Sequence, residues 1–224
     1  MAKKLVEETN IDDTDALAES GEQGLPQTQF HTDMPDDLSP DEIATPRLKL
    51  AQGLTQEVQD GLANAGEWIL AGYPGSEEMT VIPVAFARRR ERRDEETRSI
   101  LCFAPDGKNG QGDPGIKCAE CPFAKWQKGD NGKSTPPECE LQYVWIMYIP
   151  EFDAVGMTTF SRSALRDGKK LNAMAVQHGI GNFAVSLGSK TRKGNKGSWH
   201  VPVIKPAEVE DDVMERAAEF AASL

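Results

Sequence analysis

Four cysteines, Cys102, Cys118, Cys121 and Cys139, form the most specific chemical pattern in the chain, spaced C-x15-C-x2-C-x17-C. Two thiolates three residues apart chelate a tetrahedral Zn2+ from a tight turn. A site of four thiolates leaves no coordination position open, so such a zinc is structural, one per chain. Residues 104–139 are rich in Gly, Pro, Lys and Asp, and a loop of that length and polarity orders only when something staples it. Two other readings compete. A redox Cys-x-x-Cys lacks a thioredoxin-like βαβ context. Four unrelated reduced thiols would not be expected to fall in one short stretch.

No catalytic constellation accompanies the cysteines. Gly132-Lys133-Ser134 ends like a phosphate-binding P-loop, but Gln127 stands where that motif needs its first glycine. His31, His178 and His200 have neither metal nor triad spacing. His178, near the end of an expected helix, suits a carbonyl cap. The expectation is a binding protein, not an enzyme.

The cations gather in three places. Arg88, Arg89, Arg90, Arg92 and Arg93 follow a strand-like run. Lys190, Arg192, Lys193 and Lys196 crowd a Gly-rich loop, and Arg162, Arg166, Lys169 and Lys170 share one side of an expected helix. Single-strand binders combine a positive groove for the backbone with aromatic faces for the bases. Tyr143 and Trp145 alternate along the strongest strand, Trp199 adjoins the Lys-rich loop, and Trp126 lies in the cysteine loop. Each cluster also has a plainer reading. Asp94, Glu95 and Glu96 can neutralise the arginine run, the helix face can be ordinary amphipathicity, and Tyr143 and Trp145 can both be core. The Lys190–Lys196 loop contains no acid, so a solvated-surface account fits it least well.

The elements that must position these groups read as mainly β. Strands are expected at residues 67–73, 79–87, 98–103, 141–149, 154–160, 182–187 and 198–204, with a helix at 161–179 capped by Ser161 and ended by Gly179. Pro83 marks an edge or a bulge. Residues 47–65 read as a short helix or an irregular arm. Strands 79–87, 141–149, 154–160, 182–187 and 198–204, with the helix between the third and fourth, give the order of a five-stranded OB-fold-like β-barrel. The cysteine insertion at 102–139 then joins its first two strands, and the basic loop its last two.

Charge divides the chain. Residues 1–45 hold 2 basic against 12 acidic side chains, 46–205 hold 22 against 18, and 206–224 hold 1 against 6. An overall charge of −11 thus conceals a mildly basic middle. The expected organisation is a disordered acidic N-terminal tail at 1–45, a binding domain at 46–205, and an acidic flexible tail at 206–224 that is periodic enough for a helix. No apolar run reaches the ~18 residues of a membrane span. Met-Ala-Lys-Lys leads straight into acids rather than into an apolar secretory segment. A cytoplasmic protein, in the host cytoplasm if viral, is expected.

Several strings together carry a resemblance: Pro46-Arg47-Leu48-Lys49-Leu50-Ala51-Gln52, VIPVAFARRR at 81–90, Cys118-Ala119-Glu120-Cys121-Pro122-Phe123-Ala124-Lys125-Trp126, and Pro136-Pro137-Glu138-Cys139. Over roughly 46–205 the chain resembles a group of small bacteriophage single-stranded DNA-binding proteins. The resemblance implies an OB-like fold, a bound zinc, and coating of single strands in phage replication or recombination. It also implies that the acidic C-terminal tail contacts replication or recombination proteins, although the last five residues, 220–224, hold no acid. The alternative is a phage adaptor that binds a host or replisome protein through its acidic tails and zinc knot.

Overall fold

The computed structural model describes residues 45–128, 132, 134–194 and 197–222. The expected N-terminal tail and Lys196 therefore lie outside the described residues, Thr45 excepted. The chain is mainly β. Its elements run β1 (Leu48–Leu50), α1 (Gln56–Gln59), β2 (Trp68–Leu70), β3 (Met79–Arg93), β4 (Ile100–Ala104), β5 (Gln111–Gly112), β6 (Gln127–Lys128) and β7 (Ser134–Thr135). They continue with β8 (Glu140–Ile149), β9 (Ala154–Phe160), α2 (Leu165–His178), β10 (Ala184–Gly194), β11 (Gly197–Ala207) and α3 (Asp211–Ala222).

β3 is the spine. It pairs antiparallel with β10 through Met79–Val81, with β8 through Ile82 to Glu91, and with β4 through Arg90 to Arg93. β8 turns back into β9, and β10 into β11. The register shifts between Pro83 and Ala85, so Pro83 does sit at a bulge, where a strand tolerates a missing donor.

The path β11–β10–β3–β8–β9 does not close, so the expected barrel is corrected to an open sheet. Its two ends are occupied by the residues that flank β1, Pro46 before it and Gln52 after it. On the β9 side, the Met157 amide donates to the Pro46 carbonyl at 2.7 Å. On the β11 side, Gln52 Nε2 donates to the His200 carbonyl at 3.0 Å, and the His200 amide donates to Gln52 Oε1 at 2.9 Å. One side-chain amide thus satisfies both backbone groups of an edge residue, which a closing strand would otherwise have done.

Both faces of β8 are buried. Tyr143, Trp145, Met147 and Ile149 enter the main core with Leu48, Trp68, Leu70, Met79, Val81, Leu171, Val185 and Leu187. Tyr148 faces the other way, into a second core with Ile82, Val84, Ala184 and Ala217 of α3. The C-terminal segment is therefore not a flexible tail. Its apolar stripe, Val213, Met214, Ala217, Phe220 and Ala221, packs on the outer face of the sheet.

Further corrections concern ends. β3 runs six residues past its expected limit, so Arg88–Arg93 lie within a strand. β10 and β11 extend to Gly194 and Gly197, so the expected basic loop is a two-stranded ribbon. The insertion has structure of its own, the β6–β7 hairpin and a 3-10 turn at Pro122–Ala124. α2 is preceded by a 3-10 turn at Arg162–Ala164, and Ser161 makes no side-chain cap. Gly179, at φ 84°, does end α2, its amide donating to the Ala175 carbonyl. Among the described residues no helix is long and apolar enough to cross a membrane.

Candidate nucleic-acid interface

The insertion is folded around its cysteines. Cys102 lies on β4 opposite Gly112, and a Cβ on Gly110 would stand 2.9 Å from the Cys102 sulfur. The Cys118 amide donates to the Lys108 carbonyl (2.7 Å), that of Cys121 to Lys117 (3.1 Å) and that of Cys139 to Phe123 (2.9 Å). All four thiols are buried and none is in a disulfide. Burial pushes the Cys118 and Cys139 thiols up; the Arg90 guanidinium opposes it, and the other cysteine sulfurs add to it. The four therefore share one electrostatic neighbourhood. Among the described residues no set of three His, Cys, Asp or Glu side chains stands as a formed ligand shell. As a donor set, four buried thiols outside any disulfide are of the soft type that suits Zn2+.

A cavity of about 510 Å³ opens beside this cluster. Arg88 and Arg90 of β3 line it with Lys108 and Lys117 of the insertion, and Leu141 and Tyr143 of β8 form its wall. No carboxylate lines it, and none of the four cations forms an ion pair among the described residues. Lys108 and Lys117 are brought together by the Asn109–Lys117 bridge. The turn beneath them is held by Asp106. Its carboxylate accepts from the Asn109 amide, the Lys108 amide and the Asn109 side chain, which hold its pKa down to about 2. Low-dielectric walls around like charges focus potential, so the cavity suits an anion.

The other arginines of the run are placed differently. Arg92 Nε lies 3.1 Å from Glu138, its Nη1 lies 3.8 Å from Asp113, and its guanidinium covers the Phe123 ring at 3.5 Å. Arg93 pairs with Glu91 and donates to the Arg98 carbonyl at 2.9 Å. Arg89 donates to Gln142 Oε1 at 2.6 Å on the opposite face of β3. On the helix side, Arg162 is paired with Glu140, and Arg166 is exposed.

Lys190, Arg192 and Lys193 project from the β10–β11 ribbon. Arg192 is the cross-strand partner of Trp199, whose indole lies over Gly194, where a Cβ would come within 3.0 Å of Cζ3. Trp199 is 37 % exposed and Phe86 39 %, so both offer ring surface. Trp126 is also exposed. Trp145, 1 % exposed, and Tyr143, 9 %, give most of their rings to the core, and Phe86 packs over both at 4.7 and 6.0 Å. Lys190 lines a separate hollow with Glu67, Glu77 and Glu78.

No family model, curated protein or solved structure matches the chain. Its chemistry is therefore read from its own residues. No described cavity gathers all the candidate cations: Arg88 and Arg90 share one, while Arg89, Arg162 and Lys190 line others. Sequence reasoning missed Lys108, Lys117 and Phe86. It also passed over Arg47 and Lys49, although the alternation Arg-Leu-Lys-Leu is the period-two signal of a strand with one cationic face.

Proposed function

We propose that the chain is a non-catalytic single-stranded DNA-binding protein with little sequence preference. The observation that carries this reading is the carboxylate-free cavity of Arg88, Arg90, Lys108 and Lys117 against the wall of Tyr143. Four cations without acidic partners around one concave surface suit a phosphodiester backbone. Phe86 beside it, and Trp199 between the cations of the ribbon, offer the flat apolar faces on which unstacked bases rest. Duplex DNA keeps its bases stacked inside and gains nothing from such faces.

An OB-like order of strand pairing supports the reading. The pairing order β11–β10–β3–β8–β9 is that of an OB barrel left open between its third and fifth strands. The cysteine insertion and the basic ribbon are then the two connections that flank an OB groove. A structural zinc held by Cys102, Cys118, Cys121 and Cys139 would supply the free energy that orders the insertion, and with it Lys108 and Lys117. The setting in phage replication or recombination rests on the resemblance of residues 46–205 to phage proteins. The acidic outer side of α3, with Asp211, Glu215 and Glu219, is the surface offered to partner proteins.

The test is a fluorescence anisotropy titration of labelled oligo-dT, a duplex and an RNA at low and rising salt. Tight oligo-dT binding that weakens steeply with salt, with weaker duplex binding, is the expected result. Failure to bind a long oligo-dT at low salt defeats the proposal.

A further inference from the structure

Successive residues of a strand project to opposite faces of its sheet. On β3 the cross-strand pairs Arg88–Tyr143 and Arg89–Gln142 therefore point to opposite sides of the β3–β8 ladder. Arg88 and Arg90 enter the cavity beside the cysteines. Arg89 enters another, of about 340 Å³, at the rim where β1 lies against β9. Arg47 and Lys49 of the β1 segment line that second cavity with the hydroxyls of Thr159 and Ser163 and with His200.

Among the described residues this second cavity also has no carboxylate in its lining. Arg47 and Arg89 form no ion pair among the described residues, and Lys49 is shared with Glu57 at 2.6 Å. Cations and hydroxyls around a rim hollow are the donors that a phosphate uses.

We infer that the rim of β1 and β9 is a second phosphate-binding site, so that the chain holds two segments of single-stranded nucleic acid at once, one on each face of the β3–β8 pair. The inference rests on the single-strand-binding reading above and extends it. A short strand seated at Arg88 and Lys117 is separated from Arg89 and Arg47 by the sheet itself. Simultaneous occupation thus takes either two short strands or one long strand that rounds the edge of the sheet.

The experiment is isothermal titration of the full chain with the tetranucleotide of thymidine, alongside a thirty-nucleotide oligo-dT. The wild type should take two tetranucleotides per chain. Arg47→Gln with Arg89→Gln should reduce this to one, and so should Arg88→Gln with Lys117→Gln. Circular dichroism of each variant should be unchanged, since Arg47, Arg88 and Lys117 are exposed and Arg89 is only half-buried. One tetranucleotide per wild-type chain, or an Arg47→Gln/Arg89→Gln variant that still takes two, overturns the inference while binding of the long oligonucleotide leaves the underlying reading standing. Loss of both the tetranucleotide and the long strand from the wild type overturns both. Inorganic phosphate that displaces the tetranucleotide from the second site at equal concentration identifies a free-phosphate pocket and overturns the strand assignment.

Discussion

Arg88 and Lys117 reach the same cavity from different elements, a strand of the sheet and the cysteine insertion, so replacing both with Gln removes two charges from one place without touching the core. Each phosphate neutralised on a single strand contributes about 0.7 to the slope of log affinity against log salt. Two lost contacts should therefore flatten that slope by about 1.4, whatever the other contacts contribute. Between about 50 and about 200 mM salt, the wild-type and variant curves should converge by roughly sevenfold. Anisotropy titrations of labelled oligo-dT at four or five salt concentrations read the difference directly. Parallel lines would refute the reasoning. They would mean that these side chains act on binding through folding or not at all, and that the cavity is not where the backbone lies.

Other consequences follow from burial and from the cysteines. Trp145→Ala should cost about 3–5 kcal/mol in urea denaturation, as expected for a large aromatic removed from a packed core. Trp199→Ala should change stability by no more than about 0.5 kcal/mol while weakening oligo-dT binding by about 1–3 kcal/mol; the reverse pattern would exchange their roles. Gly168 sits on the inner side of α2, where a Cβ would stand 2.7 Å from Phe160 Cβ and 3.1 Å from Tyr143 Cδ2. Gly168→Ala should therefore destabilise the protein by about 1–3 kcal/mol, read as a lower midpoint of thermal unfolding, despite the better helix propensity of Ala. Elemental analysis should find about one zinc per chain, and a strong chelator should expose the four thiols to a colorimetric thiol reagent; equal reactivity with and without chelator would count against the metal.

The strands with an apolar alternation were the most legible. Residues 154–160 are a strand as their pattern indicates, and β8 begins one residue early. Alternation does not say what covers each face, and β8 is sandwiched because α3 folds back over its outer side. That packing depends on residues some seventy positions away, which local patterns do not register. Charged and Gly-rich strand ends read as loops for a similar reason. Arg89 is held on β3 by Gln142, Arg92 by Glu138 and the Phe123 ring, and the ribbon from Ser189 to Gly194 by its ladder with β11. The partners of the two arginines are all distant in sequence, and the ribbon's ladder joins residues that carry no apolar alternation. The site was legible in half. Arg88, Arg90 and the cysteines stood out by type and clustering, whereas Lys108 and Lys117 are isolated lysines in a polar stretch, joined only once the insertion folds.

The central claim is that a single strand lies in the Arg88–Lys117 cavity with its bases against Phe86, Tyr143 and the ribbon tryptophan. Photo-crosslinking of an oligo-dT bearing 5-iodouracil, followed by peptide mapping, tests this most directly. The account predicts adducts on the peptides that carry Phe86 or Tyr143 and Trp199, suppressed by unlabelled oligo-dT and not by duplex. Adducts confined to residues 1–44, or suppressed equally by duplex DNA, would contradict it.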